Sequence, residues 1–350
     1  MAEGTHIEWC DSTFNPWLGC TKLSMACDHC YAEAWANRYG QVEWGNAPRK
    51  LTSAGYWRQP LKWQRDAAAF AAEHGRRRRV FCASLADVFD NQVDPEWRVR
   101  LWTLIAETPD LDWLLLTKRP QNITKMLPPD WGKGWPNVWL GTTIENQEEA
   151  DRRIPEFLAV PAVVHFLSCE PLLGPLQLRS IRIAGEPHGE VHNPLSGYSS
   201  ATPWGLIAKK IPDRFGLGRI DWVIAGGESG PEARPSHPDW FRELRDQCAA
   251  AYVPFLFKQW GEFVSVSEVA GSGDHFKFAD GATVRKIGKK AAGRLLDGIE
   301  HNAFPGVLHT AIDQIHEIPG ELEFWDGKLT KVINPKRYGW ARFMQHYDGK

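Results

Sequence analysis

Six short apolar runs, each followed by a polar end, constrain this chain more than any other feature. They read VFCASL at 80–85, WLLLT at 113–117, VWLG at 138–141, VVHFL at 163–167, WVIA at 222–225 and PFLF at 254–257. A half-exposed strand alternates apolar and polar residues; near-continuous runs of this length suit strands covered on both faces. Helical patterns at 96–108, 147–158 and 237–252 lie between them, the last with Ser236 as candidate N-cap. With an N-terminal strand at 7–9, roughly seven βα-type units result. Right-handed crossovers then give a parallel sheet, open or closed toward a barrel.

Two regions depart from this rhythm. Residues 177–219 contain GEPHGEVHNPLSGYSSATPWG, too long and turn-rich for one crossover, and read as an insertion or lid after the fifth strand. Residues 261–350 read as a mixed α/β C-terminal extension. Its HFKFADGATVRKIG segment predicts a hairpin turning near Asp280 and Gly281.

Composition narrows the setting. The net charge is −2, so no global field draws the chain to nucleic acid or an anionic membrane. The N-terminal segment has no apolar core and no stretch approaches 18 apolar residues. Neither a signal peptide nor a membrane span is expected, and the expected location is the cytoplasm. Thiols stay reduced there, so clustered members among the seven cysteines point to metal rather than disulfides. The run Arg76 to Arg79 reads equally well as a solvated turn or a phosphate contact.

The segment LGCTKLSMACDHCY carries Cys20, Cys27 and Cys30 in a C-x6-C-x2-C pattern just after the first expected strand. Three thiolates on a [4Fe–4S] cluster leave one iron free to take a ligand. A structural zinc ion would need a fourth ligand, which Cys10 or His29 offers.

Each later strand run ends in polar residues, where open α/β sheets gather function. Counting the N-terminal strand as the first, Ser84, Asp87 and Asp90 end the second expected strand, and Thr117, Lys118 and Arg119 the third. Thr142, Thr143, Glu145 and Asn146 follow the fourth, and Cys169 and Glu170 the fifth. Gly226, Gly227, Glu228 and Ser229 follow the sixth, and Lys258 and Gln259 the seventh.

A three-cysteine loop after the first strand of such a sheet resembles the radical S-adenosylmethionine (SAM) superfamily. The usual spacing there is C-x3-C-x2-C; this chain keeps the second gap and widens the first to six. Through NPWLGC, LLLTKRP, FLSCEPLLGP, AGGESGP, FKQWGEF and GKKAAGRLLDG the whole chain is also similar to a phage-associated family of uncharacterised three-cysteine-motif proteins. More distantly it is similar to spore photoproduct lyases.

The resemblance implies a partial (β/α) barrel of about six to seven parallel strands over residues 1–260. It implies a [4Fe–4S] cluster on Cys20, Cys27 and Cys30, and SAM cleaved reductively to a 5′-deoxyadenosyl radical. Lys118 then pairs with the SAM carboxylate, and Thr143, Glu145 or Asn146 bond the ribose. Glu228 accepts from an ammonium or hydroxyl, and His29 lies near the adenine. Ser84, Asp87 and Glu170 complete the expected cofactor set. Ser84 stands where the lyases carry their hydrogen-donating cysteine, which leaves Cys82, expected on the same strand face, and Cys169 as candidate donors.

The implied partners are DNA or RNA as substrate, in modification or repair, and a reductant such as flavodoxin or ferredoxin. The basic segment 286–290 joins the arginine run in favouring nucleic acid. A radical SAM enzyme acting on a peptide or small molecule stays open, as does a zinc-stapled nucleic-acid-binding protein without catalysis.

Overall fold

The computed structural model describes residues 5, 7–183, 191–200, 211–212, 217–306, 322–325 and 328–332. Seven parallel strands form one sheet: β1 (Ser12–Phe14), β2 (Arg78–Cys82), β3 (Leu111–Thr117), β4 (Val138–Thr143), β5 (Val164–Cys169), β6 (Trp222–Gly226) and β7 (Phe255–Gln259). Their order in space is their order in the chain. Consecutive parallel neighbours with the connections wound one way curl the sheet into a half-barrel, as the apolar runs predict.

The expected strand at 7–9 is a turn instead. Cys10 N donates to Ile7 O, and Trp9 packs its ring 4.4 Å from Phe81. The sheet begins three residues later, where Ser12 pairs with Val80. Apolar residues at 7–9 therefore fill the concave side without joining the ladder.

Alternation along the strands sorts side chains into two sets. Val80, Cys82, Trp113, Leu115, Val138, Leu140, Leu167, Cys169, Val223 and Ala225 belong to the main core, which the covering helices complete. Phe81, Leu116, Thr143, Ser168 and Lys258 line the cavity on the concave side. Gly141 is required on that side, because a Cβ there would lie 2.2 Å from the Phe166 ring.

The helices that matter to the site are α1 (Tyr31–Tyr39), α2 (Pro95–Ala106), α3 (Gln147–Leu158) and α4 (Pro238–Ala250). Helix α4 is capped by His237, whose ring accepts from Asp239 N, and not by Ser236, whose hydroxyl donates to Leu172 O.

The chain divides into two compact units, Met1–Ala303 and Phe304–Lys350. Residues 261–303, the start of the expected extension, lie in the first. They include the expected hairpin, Asp274–Lys277 against Thr283–Lys286. Part of the 177–219 segment lies outside the described residues. Its described portion holds a four-stranded antiparallel sheet. The described part of the second unit is residues 304–306 and the antiparallel pair Leu322–Trp325 and Lys328–Val332. Among the described residues no helix is long and apolar enough to cross a membrane.

Candidate functional site

The loop from Cys20 to Cys30 crosses the strand ends of the half-barrel, and side chains from those ends hold it. Arg119, just past β3, donates through Nη1 to Cys20 Sγ at 3.4 Å and through Nη2 to Thr21 O at 2.9 Å. Glu145, past β4, accepts from Ala26 N at 3.2 Å and from Arg153 Nη1 at 2.9 Å. Arg234 reaches Asp28 Oδ2 at 3.0 Å and Met25 O at 2.8 Å. Its guanidinium also grips Glu228, in the Gly-Gly-Glu turn past β6. Glu228 in turn bonds His29 Nδ1 at 3.1 Å. The turn can sit there because Gly227 lacks a side chain; a Cβ would lie 1.8 Å from Trp260 O.

Burial and these tethers shift two of the groups. Burial opposes ionisation of Glu228, but the Arg234 hydrogen bonds, then His29, hold its carboxyl below the usual carboxylate range. Burial pushes the Cys20 thiol up to about 11, with Asp87 adding to the rise and Arg119 opposing it.

Cys20, Cys27 and Cys30 are all half-buried and line one cavity of about 420 Å³. That volume lies within the usual range for small-molecule sites. His29, Ser84, Asp87, Lys118, Thr143, Glu170 and Glu228 line the same cavity. Ten of the expected site residues thus meet in one place.

Their partners distinguish them. Asp87 is a buried hub that accepts from Thr117 Oγ1, Arg119 Nη1 and Phe89 N. Ser84 Oγ bonds Asn15. Glu170 takes Lys258 Nζ on both oxygens at 2.8 Å and Gln259 Nε2 at 3.0 Å. Lys118 is half-buried, and its ammonium has no ion pair among the described residues.

Four expected residues do not line the cavity. Glu145 is fully buried under the cysteine loop in its pair with Arg153. Asn146 caps α3, accepting from Glu149 N at 3.0 Å. Cys82 and Cys169 lie in the helix-side core, fully buried, where burial pushes both thiols up. The expected shared face of Cys82 and Ser84 fails because β2 ends at Cys82, and Ser84 lies past the end of the regular alternation.

Cys10 is buried and outside the cavity lining. Among the described residues no group of three or more Cys, His, Asp or Glu converges as a single metal ion requires. The arginine run is spent internally. Arg76 pairs with Asp11 at 2.7 Å, and Arg78 stacks 4.2 Å from the Phe70 ring centroid. It offers little to phosphate.

The residues that sequence reasoning left without roles are Arg119, Glu145 as a tether, Arg234, Lys258 and Gln259. Position at or past a strand end marked all of these except Arg234, which has no local signal.

Two solved structures resemble the chain. One is a spore photoproduct lyase double mutant with bound AdoMet and dinucleoside spore photoproduct; the other is spore photoproduct lyase complexed with dinucleoside spore photoproduct. Each is 8% identical with a TM-score of 0.37, over 82% of this chain and 71% of the other, a likeness too slight to carry an argument. No curated protein matches the chain. Residues 4–305 match the family model described as a protein of unknown function (DUF5131), and the chain belongs to that family.

Proposed function

We propose that this chain is a radical SAM enzyme whose cluster is held by Cys20, Cys27 and Cys30. One observation carries the reading: three thiols from one loop share a single cavity with the polar ends of six neighbouring strands. The donor set fits a [4Fe–4S] cluster in its chemistry. A cluster takes each thiolate on a different iron, so the sulfurs need not converge as they must on one zinc ion. Of the two candidate fourth zinc ligands, Cys10 is outside the cavity lining and His29 is engaged by Glu228.

When bound, the cluster and SAM together supply a 5′-deoxyadenosyl radical, formed with methionine after one electron enters the site. The protein's part is to hold and orient. Lys118, a cation without an ion pair among the described residues, suits the SAM carboxylate. Thr143 offers a hydroxyl, while the Ser84 hydroxyl is held by Asn15 as both donor and acceptor; Trp9, Phe81 and Leu116 exclude water from the inner wall. Asp87, Glu145, Asn146 and Glu228 act as positioning residues, since their polar groups are already engaged within the protein. Neither Cys82 nor Cys169 is assigned as a hydrogen donor, because both face the helices.

Nucleic acid is the proposed substrate class. Tyr31 lines the cavity with 59% of its surface exposed, available to stack on a base. Lys289, also on the cavity wall, and Lys290 are exposed cations without ion pairs among the described residues.

The test is anaerobic. The chain is reconstituted with iron and sulfide, given SAM and dithionite, and assayed for 5′-deoxyadenosine beside a C20A/C27A/C30A variant. Formation that depends on the cysteines is expected. No product, together with zinc in the protein as isolated, would sink the reading. Salt-dependent DNA or RNA binding then decides the substrate class.

A further inference from the structure

Arg119 is unusual among the loop's tethers because it touches a sulfur. Its side chain is 7% exposed, and Nη1 sits 3.4 Å from Cys20 Sγ and 2.9 Å from Asp87 Oδ2. Nη2 anchors on Thr21 O, and Asp87 is itself held by Thr117 Oγ1 at 2.8 Å. The guanidinium therefore cannot swing away from the sulfur without breaking buried hydrogen bonds. Among the described residues, neither Cys27 nor Cys30 has such a cationic donor.

We infer that Arg119 sets the reduction potential of the cluster through its hydrogen bond to Cys20, and that the Asp87 carboxylate opposes it. The inference rests on the cysteines being cluster ligands, as proposed above. One-electron reduction adds one negative charge to the cluster and its thiolates. An N–H from a cation at a ligating sulfur favours the state with more charge, and hydrogen bonds to the sulfurs are among the groups that tune such potentials. An anion beside the same sulfur does the reverse. Asp87 Oδ2 sits 2.9 Å from the same Nη1 that meets the sulfur, so its negative charge offsets part of the guanidinium's effect. Arg119 is thus a positioning and tuning residue; it need not touch substrate.

The readout is the midpoint potential of the reconstituted full-length chain, without SAM or substrate, followed by electron paramagnetic resonance during a redox titration. Iron and sulfide per chain are quantified first for the wild type, R119Q, R119K and D87N. In R119Q the equilibrium constant for reduction should fall about tenfold, which is ~59 mV more negative for one electron. R119K should shift less in the same direction, and D87N should shift the opposite way.

A cluster at full stoichiometry with an unchanged potential in R119Q would overturn the inference and leave the radical SAM reading standing. Shifts of the same sign in R119Q and D87N would mean local disruption rather than charge, and would overturn it too. Loss of the cluster from both Arg119 variants would make the residue a structural tether only. A wild type that takes up no cluster would remove the underlying reading as well.

Discussion

Replacing Glu228 with Gln removes the charge at the centre of the clamp between the cysteine loop and the sixth strand end, while keeping the side chain's size. The carboxylate accepts from Arg234 N at 2.7 Å, Nε at 2.9 Å and Nη2 at 2.6 Å, and it faces His29 Nδ1 at 3.1 Å. A glutamine offers one acceptor oxygen and turns an NH₂ toward those donors. Removing one partner of a buried ion pair costs about 3–5 kcal/mol. The Glu228 side chain is 5% exposed but that of Arg234 is 25% exposed, so water recovers part of the loss. The low end is expected, about 3 kcal/mol.

The cost should depend on pH with a definite sign. Folding lowers the Glu228 pKa, so its contribution is full above the unfolded value of about 4.3 and is lost as pH falls through the folded value. Urea denaturation of wild type and E228Q, followed by tryptophan fluorescence from neutral pH downward, reads this directly. A double-mutant cycle with R234Q at neutral pH should give a coupling of about 2 kcal/mol. A penalty below about 1 kcal/mol, the scale of an exposed ion pair, would refute the reasoning. So would a penalty that persists unchanged below the folded pKa.

Three further outcomes are expected. K118A in the reconstituted protein should weaken SAM binding roughly 10- to 100-fold, as for a lost charged hydrogen bond, with iron content unchanged; equal affinity in anaerobic calorimetry would remove Lys118 from the site. In the metal-free protein an alkylating reagent should label Cys27 and Cys30 readily and spare Cys82, Cys169 and Cys248 until unfolding; labelling of Cys20 should rise as pH approaches about 11, which peptide mass mapping would follow. D112N should stabilise the chain above pH 6 and do nothing below about 4, because burial raises the folded Asp112 pKa to about 6 and so makes its charge a cost at high pH; denaturation midpoints on either side of that window check it.

The sheet was largely legible because its strands are buried on both faces, and burial of that kind writes itself as unbroken apolar runs. The helix at 147–158 is read at its true bounds, but Asn146, expected to meet a ribose, turns out to be its cap. The first strand was misplaced because Ile7 and Trp9 are apolar for a different reason: they fill the concavity that a curved sheet leaves. The cavity set was legible through one rule, that polar residues past successive parallel strands face a common rim. Which of them are free was not. Asp87, Glu145 and Glu228 look like ligand-binding carboxylates in sequence, yet each is engaged by an arginine further along the chain, 32, 8 and 6 residues away. No local pattern announces a partner such as Arg153 or Arg234. The candidate donors Cys82 and Cys169 were misjudged because helix-side and cavity-side positions alternate by a single residue.

The tethers of the cysteine loop also set the order of events during synthesis. Cys20 to Cys30 emerge early from the ribosome, but their holders lie 99 residues away at Arg119, 119 at Glu145, and up to 209 at Arg234. Domains of this kind fold as units, and long-range contacts form only after slow loop closure. For most of translation three thiols hang on an unanchored segment, open to oxidants and to stray zinc. The loop gains its shape only once the sixth strand end has docked. On the proposed reading, a cluster would be delivered only after the sixth strand end has formed, and a cell that makes this protein in excess should accumulate the metal-free form first.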